Sequence, residues 1–257
     1  ATMQPGAMDD ETHEKLASLG YVGAFGGPVD TDPENLADPK DKIDLFNMMA
    51  DARDDSLEGK SDEAIQKLSE LVRLDPKIVD GYFLLGNEYL KKAHYDEAVN
   101  AFKKALDLKP DYDFAVINLA NTYRKMGKID DALLGFEYFL KKNPDNVQVL
   151  GRIGELQLAR NDPDQAMVYF DRALKIDPKT RWIYNSKGAA LLQKKQTKEA
   201  EAAFRKALEL NPKINMVHFN LAQIFELRGS DVEAQQEYLK ELEIAPKNFK
   251  ASFNLGR

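Results

Sequence analysis

Apolar and small residues recur along this chain at helical spacing, in pairs of neighbouring segments. One first segment carries them at i, i+3, i+4 and i+7: Tyr82, Leu85, Gly86 and Tyr89. The second segment of that pair carries them at i, i+4 and i+7: Ala98, Phe102 and Ala105. Each spacing places its residues on one face of a helix. The pattern predicts two helices that approach closely at the small residues, with aromatic rings filling the space between them.

The same pattern returns with a fixed period. Prolines recur every 34 residues, at Pro76, Pro110, Pro144, Pro178, Pro212 and Pro246. An alanine lies twelve positions before each proline: Ala64, Ala98, Ala132, Ala166, Ala200 and Ala234. A bulky residue lies eight positions before each: Leu68, Phe102, Phe136, Phe170, Phe204 and Tyr238. Because proline cannot continue a helix interior, each one marks a boundary between successive helix pairs.

These residues together resemble the tetratricopeptide repeat. The 79–112 copy carries the family pattern as Tyr82, Leu85, Gly86, Tyr89, Ala98, Phe102, Ala105 and Pro110. The 113–146 copy carries it as Val116, Leu119, Ala120, Tyr123, Ala132, Phe136, Phe139 and Pro144. The resemblance implies an all-α fold, in which two antiparallel helices per repeat stack into a right-handed α-solenoid. One helix pair cannot bury both of its faces alone, so neighbouring pairs must stack.

The register divides the chain into a leader, residues 1–44, and a repeat array, residues 45–257. The array is read as six full repeats and the start of a seventh: 45–78, 79–112, 113–146, 147–180, 181–214, 215–248 and the partial 249–257. The first repeat departs from the pattern, with Asp51 and Asp55 where apolar residues are expected. Gln157 and Lys187 are further departures that weaken packing locally.

The leader does not repeat, and it is expected to be partly disordered. Residues 1–8 are typical of a cloning scar. Residues 1–44 hold ten acidic and three basic residues, which accounts for the whole net charge of -7. Asp38 and Pro39 predict a helix start, with Asp38 as the N-cap. We expect a short helix from about Pro39 to run into the first repeat.

The leader resembles a second kind of protein. Its segments, Leu16-Ala17-Ser18-Leu19-Gly20-Tyr21-Val22 and Asp38-Pro39-Lys40-Asp41-Lys42-Ile43, are similar to the junction between a bacterial sulfatase-type hydrolase domain and a C-terminal tetratricopeptide tail. The resemblance implies that this chain is the non-catalytic part of a larger hydrolase. The sulfatase nucleophile motif, Cys or Ser before Pro-x-Arg, does not occur in the sequence.

Composition argues against an enzyme, a cofactor or a metal site in this chain. There is no cysteine, and the three histidines form no ligand motif. His13 begins a segment that lacks the second histidine of a zinc-protease helix, because Ala17 stands there. The glycines of residues 23–27 lack the Lys-Ser/Thr of a phosphate loop. The electrically neutral array does not favour nucleic acid as a partner, and no segment reaches the roughly 20 apolar residues of a membrane span.

The resemblance implies a peptide-binding groove lined by the first helix of each repeat. The candidate groove residues are Phe83, Asn87, Phe114, Ile117, Asn118, Asn121, Arg152, Trp182, Asn185, Met216, Phe219 and Asn220. Asn87, Asn118 and Arg152 occupy three of the five positions of the carboxylate clamp in chaperone-binding relatives. Phe83 and Gln148 occupy the positions where that clamp needs lysines, so a full clamp is not expected.

The sequence therefore predicts a scaffold that binds a protein or an extended peptide in its concave groove. The alternative is an accessory or oligomerisation domain of a sulfatase-like hydrolase. A homo-oligomer formed through the leader or through the exposed C-terminal repeat also stays open, as does a leader that folds back into the groove. The compartment is undetermined: cytoplasmic, or periplasmic if the chain is attached to an exported hydrolase.

Overall fold

The helical periodicity of the apolar residues and the recurring prolines produce helices in consecutive antiparallel pairs. The computed structural model describes residues 10–19 and 39–256, and in these residues it contains fourteen helices and no strand. The chain divides into two units, Ala1–Pro144 and Asp145–Arg257. The prediction of an all-α fold built from helix pairs is confirmed.

Seven helices belong to each unit. Those of the first unit are α1 (Asp10–Ser18), α2 (Pro39–Leu57), α3 (Ser61–Leu74), α4 (Val79–Lys91), α5 (Tyr95–Leu108), α6 (Asp113–Lys125) and α7 (Ile129–Lys142). Those of the second unit are α8 (Val147–Ala159), α9 (Pro163–Ile176), α10 (Arg181–Gln193), α11 (Thr197–Leu210), α12 (Val217–Leu227), α13 (Asp231–Ile244) and α14 (Phe249–Leu255). The even-numbered helices from α2 to α12 are the first helices of their pairs, and the odd-numbered ones from α3 to α13 are the second.

In three of the pairs, an aromatic ring of the second helix lies against a glycine of the first helix. A Cβ added to Gly86 would lie 2.6 Å from the Phe102 ring. Gly154 faces Phe170 and Gly188 faces Phe204 in the same way, with a distance of 2.4 Å in both. Four of the bulky residues that recur every 34 positions, Phe102, Phe136, Phe170 and Phe204, are fully buried. The predicted packing stripe is therefore the core of the fold.

A left-handed residue ends each first helix. These residues have φ between 59° and 79° and recur every 34 positions: Gly59, Ala93, Gly127, Asn161, Lys195 and Gly229. Around Ala93, its own backbone N–H donates to Leu90, and that of His94 donates to Tyr89. These two hydrogen bonds close the helix in the manner of a Schellman motif. Three of the six positions carry a side chain in a conformation that favours glycine.

Three of the turns between one pair and the next are fixed by a carboxyl or amide side chain directly before the proline. Asp75 accepts a hydrogen bond from the backbone N–H of Lys77 at 2.9 Å. Asp177 accepts from Lys179 at 2.9 Å, and Asn211 accepts from Lys213 at 3.0 Å. Such Asx turns combine with the fixed φ of the proline to set the reversal of the chain. The proline boundaries that the sequence predicts therefore have a local geometric cause.

The leader contributes two described segments. Helix α2 begins at Pro39 and continues to Leu57, so the predicted short helix and the first helix of the array are one helix. The N-terminal helix α1 holds Leu16, which is buried. The predicted cloning scar, the Asp38 cap and residues 20–37 of the leader lie outside the described residues.

Glu88 is a buried acid that the repeat pattern does not predict. Its carboxylate accepts hydrogen bonds from Ser56 at 2.6 Å, from Ser61 at 2.9 Å and from Lys91 at 2.6 Å. Burial by itself raises the pKa of Glu88, but the three hydrogen bonds together outweigh it and hold the pKa below its usual value. The charged form therefore links α4 to α2 and to the start of α3.

The strained ends of the first helices give a stability prediction. Ala93→Gly should raise the free energy of unfolding by roughly 0.5–1 kcal/mol, because the left-handed conformation costs an L residue about 1–2 kcal/mol. The control is Ala202→Gly, at an exposed position within α11. This change should lower the free energy of unfolding by about 0.5–1 kcal/mol. Chemical denaturation measures both. Equal losses of stability in the two variants would contradict the assignment of strain to Ala93.

Candidate functional site

The candidate groove residues fall on two surfaces, one in each unit. The α4–α6 surface consists of Phe83 and Asn87 on α4 with Phe114, Ile117, Asn118 and Asn121 on α6. The α8–α12 surface consists of Arg152 on α8, Trp182 and Asn185 on α10, and Met216, Phe219 and Asn220 at or on α12. On α6 the four residues follow i, i+3, i+4 and i+7, so they form one stripe of the helix.

An aromatic cluster forms one end of the α4–α6 surface. The ring centroids of Phe83 and Phe114 are 6.4 Å apart, and that of Tyr112 lies 5.1 Å from Phe83 and 6.2 Å from Phe114. Tilted and edge-on contacts at these separations are favourable for aromatic pairs. Phe114 nevertheless keeps 67% of its surface exposed. The cluster holds a large apolar ring in solvent, with its neighbours fixing its position.

Tyr112 is a member of this cluster that sequence reasoning missed. Its hydroxyl donates to Asp80 at 2.9 Å, and the ammonium of Lys109 lies 5.2 Å from its ring centroid. Burial, then the hydrogen bond to Asp80 and its charge, raise the pKa of Tyr112 to about 12. Tyr112 precedes α6 as the backbone N-cap residue, whereas the groove positions implied by the resemblance lie inside the helices. The signal that could have identified Tyr112 in the sequence is an aromatic residue directly before a predicted helix.

An amide pair lies one helical turn beyond the rings. Asn118 donates from Nδ2 to Oδ1 of Asn87 at 2.7 Å, which joins α6 to α4. Asn87 and Asn118 lie four residues after Phe83 and Phe114, on the same faces of their helices. Ile117 and Asn121 are half-buried beside them. The structure therefore brings the six predicted residues of this unit to one surface.

The α8–α12 surface is built around the single tryptophan. Trp182 lies so close to Gly151 that a Cβ added there would stand 2.1 Å from the indole. The guanidinium of Arg152 lies 5.2 Å from the centroid of the indole, within range of a cation–π contact. Arg152 also pairs with Glu155 at 2.8 Å. Trp182 is half-buried, so it both packs against α8 and remains accessible.

A second amide pair has its donor at the same repeat position as the first and its acceptor four residues earlier in the repeat. Asn220 donates from Nδ2 to Oδ1 of Asn185 at 3.1 Å, which joins α12 to α10. Asn254 occupies the same repeat position as Asn118 and Asn220, but it donates to the hydroxyl of Tyr238 at 2.8 Å. Of the three asparagines at this repeat position, Asn118 and Asn220 therefore bond to an asparagine of the preceding first helix.

Two candidate residues of the second unit do not lie on an open surface in the way the sequence predicts. Phe219 is 6% exposed and packs against Tyr238, with 5.7 Å between ring centroids. Met216 does not begin a helix, because it is left-handed with φ 69° and α12 starts only at Val217. Met216 instead lines a cleft of about 480 Å³ with the turn between α13 and α14.

Glu241 is the cause of the late start of α12. Its carboxylate is fully buried and accepts from the backbone N–H of Met216 at 2.9 Å and of Phe219 at 3.4 Å. It also accepts from Asn248 at 3.1 Å. The corresponding positions of the other repeats hold Leu71, Ala105, Phe139, Ala173 and Ala207. A carboxylate at a helix N-terminus is favourable, and here it draws the first residues of α12 out of helical geometry.

The described end of the leader bonds to α6 outside the predicted groove stripe. The hydroxyl of Tyr123 donates to the backbone oxygen of Leu19 at 2.9 Å. Tyr123 follows Phe114 by nine residues, which is about two and a half helical turns, so it lies on the opposite face of α6. Of the leader segment that could fold back into the groove, residues 16–29, only 16–19 are described, and Leu19 bonds to the face of α6 opposite Phe114. The rest of that segment lies outside the described residues.

A metal site and a membrane span were both sought among the described residues. Within residues 10–19 and 39–256 no group of acidic or histidine side chains is arranged to hold a metal ion. In the same ranges no helix has both the length and the apolar character that crossing a membrane requires.

Paired helices with a 34-residue period define a helical repeat protein. Models of the tetratricopeptide repeat match residues 79–112, 117–179 and 182–214, together just over half of the chain. The chain therefore belongs to the tetratricopeptide repeat family. A search of curated proteins finds no match.

Solved structures show the same fold. A chain of the APC/C hetero-tetramer Cut9–Hcn1 is 19% identical with a TM-score of 0.68, over 96% of this chain and 46% of that one. This chain thus spans less than half the length of that protein. PilF of Pseudomonas aeruginosa is 13% identical with a TM-score of 0.68, over 83% of this chain and 97% of its own. YrrB, described as having an unusual peptide-binding site, is 18% identical with a TM-score of 0.55, over 74% of this chain and 98% of its own.

The contact between Trp182 and Gly151 gives a prediction with a direct optical readout. Gly151→Ala should displace the indole, because the new Cβ would overlap it, and overpacking of this kind costs about 1–3 kcal/mol. The chain has one tryptophan, so its fluorescence should shift to longer wavelength and become easier to quench. Gly256→Ala is the control, since the nearest atom to a Cβ there is 3.7 Å away. Emission that is unchanged in Gly151→Ala would contradict the described contact.

Proposed function

We propose that this chain is a protein-interaction scaffold and that its α4–α6 surface binds an extended segment of a partner protein. The observation that carries the proposal is Phe114, which is 67% exposed although Phe83 and Tyr112 hold it in place. A fixed, exposed ring loses little conformational freedom when a partner covers it, which is typical of residues that dominate binding energy. Tetratricopeptide proteins in general serve as interaction scaffolds.

The amide pair supplies the polar half of the proposed site. The bond from Asn118 to Asn87 uses one donor of Asn118 and one acceptor position of Asn87. Within the described residues, Oδ1 of Asn118 and Nδ2 of Asn87 have no other side-chain partner, and neither is buried. One acceptor and one donor side by side complement the N–H and C=O of a peptide backbone. Such a pair suits an extended chain of many sequences, while Phe114 selects for an apolar side chain.

The second unit carries the same combination. Trp182 is a half-buried aromatic side chain, and Asn220 donates to Asn185 in the same sense as Asn118 to Asn87. The recurrence of an accessible ring and an amide pair in both units favours a binding role over chance. The described peptide-binding site of YrrB belongs to the same class of function.

The proposal is tested by peptide binding to the full chain. Peptides selected from a displayed random-sequence library should bind the wild-type protein, and fluorescence anisotropy gives their Kd. Phe114→Ala should weaken the best of them roughly 10- to 100-fold, because burial of a large apolar side chain contributes about 1.5–3 kcal/mol. Asn118→Ala should weaken it less, since one backbone hydrogen bond contributes about 1 kcal/mol.

Val168→Ala is the matched control. Val168 is also an exposed apolar residue, but it lies on α9, a second helix. Its replacement should leave Kd unchanged, and circular dichroism should show that all three variants remain folded. No enrichment of peptides, or equal affinity of wild type and Phe114→Ala, would refute binding at the α4–α6 surface.

A second candidate function is that of an accessory domain in a larger sulfatase-like hydrolase. It is supported by the likeness of the leader to such a junction and by the hydrogen bond from Tyr123 of the array to the backbone oxygen of Leu19, directly after helix α1. A domain joined at that point would be held beside the array. The remaining junction residues, 20–38, lie outside the described residues. Sequencing the gene upstream tests the idea, since a start codon directly before residue 9 would refute it.

A further inference from the structure

The N-terminal helix α1 is held against α5 and α6 by contacts that are distant in sequence. Leu16 is 1% exposed. The ammonium of Lys103 on α5 donates to the backbone oxygen of Ser18 at 2.9 Å. The hydroxyl of Tyr123 on α6 donates to the backbone oxygen of Leu19 at 2.9 Å. Two directional hydrogen bonds thus link this short helix to two consecutive repeats, and its Leu16 side chain is buried.

Both bonds go to the end of α1, where a helix lacks partners for its last carbonyl groups. The carbonyl of Lys15 is already satisfied within α1, by the side chain of Ser18 at 2.8 Å and the backbone N–H of Leu19 at 3.1 Å. Lys103 and Tyr123 satisfy the carbonyls of Ser18 and Leu19 at the very end of the helix. A cation is favourable at the C-terminal end of a helix dipole. The array therefore recognises the end of a helix as well as a leucine.

Tyr123 is suited to this role because it stays protonated. Its side chain is buried, and burial, followed by the charge of Asp131, raises its pKa to about 12. The ammonium of Lys128 lies 5.7 Å from its ring centroid. The ring belongs to the packing stripe of α6, and only the hydroxyl is committed to α1.

We propose that α5 and α6 form a second docking site, separate from the α4–α6 surface, whose occupant is helix α1 of the same chain. The site recognises a short helix by Leu16 and by the carbonyls of Ser18 and Leu19. Because α1 is covalently tethered, its effective concentration at the site is of the order of millimolar, which favours it over a second copy in dilute solution. Helix α1 thereby links two consecutive repeats.

The test uses the full chain with its own helix disabled. Leu16→Asp places a charge at the buried anchor and should release α1, leaving the docking site open. A labelled synthetic peptide of residues 10–22 should then bind the Leu16→Asp chain at least about tenfold more tightly than the wild type, where the tethered helix competes. Fluorescence anisotropy measures both affinities.

Two further substitutions in the Leu16→Asp chain identify the docking site. Lys103→Met together with Tyr123→Phe should weaken peptide binding, while the ring of residue 123 is kept for packing. Lys104→Met is the control, because Lys104 is the exposed neighbour of Lys103 on α5. Equal affinity for the wild-type and Leu16→Asp chains, or no effect of the double substitution, would overturn the proposal.

Hydrogen exchange in the wild-type chain decides the case in which the peptide binds neither protein. The amides of α1 should exchange at least about tenfold more slowly than those of the isolated peptide, and Lys103→Met with Tyr123→Phe should remove that protection. Unprotected α1 amides in the wild type would overturn the docking. A wild-type dimer that Leu16→Asp converts to a monomer in light scattering would overturn the tethered occupant in favour of exchange between copies.

Discussion

The contact of an aromatic ring with a small residue, seen within three of the helix pairs, is what the rest of this structure depends on. At Gly86, Gly154 and Gly188 the ring occupies the space that a Cβ would need. Phe102, Phe170 and Phe204 are fully buried as a result. Since one face of each first helix is used in this way, the residues on its other faces are left for different tasks.

The periodic part of the fold follows from the sequence because packing in a repeat is local. The 34-residue register of prolines, alanines and bulky residues predicts the pairing of helices, their boundaries within a few residues and the members of the core. It also predicts the stripe of Phe114, Ile117, Asn118 and Asn121, because helical periodicity alone places those residues together.

Departures from the period were the features that sequence reasoning could not resolve. Glu241 stands where the other repeats carry apolar residues, but only the fold shows that its carboxylate reaches the start of α12 and displaces Met216. Phe219 occupies a groove position and is nevertheless buried, because Tyr238 and Ala251 close over it. Tyr112 and the docking of α1 depend on contacts between residues distant in sequence, for which a repeat pattern carries no information.

Helix α6 illustrates how one element serves three purposes. Its inward residues, among them Val116 and Ala120, are buried in the core. The stripe that contains Phe114 and Asn118 faces α4 and the solvent, while the hydroxyl of Tyr123, which shares the inward face with Val116, bonds to the leader helix. Separate faces allow a partner segment and helix α1 to be bound at the same time, without competition for the same atoms.

Protection of a single thiol would test binding at the α4–α6 surface most directly. The chain has no cysteine, so Asn121→Cys places one reactive group on the stripe, and Val168→Cys places one on an exposed second helix as a reference. Alkylation rates would be measured with and without a saturating selected peptide. The peptide should slow the reaction at position 121 at least about tenfold and leave position 168 unchanged. Equal rates at position 121 with and without bound peptide would show that the partner binds elsewhere.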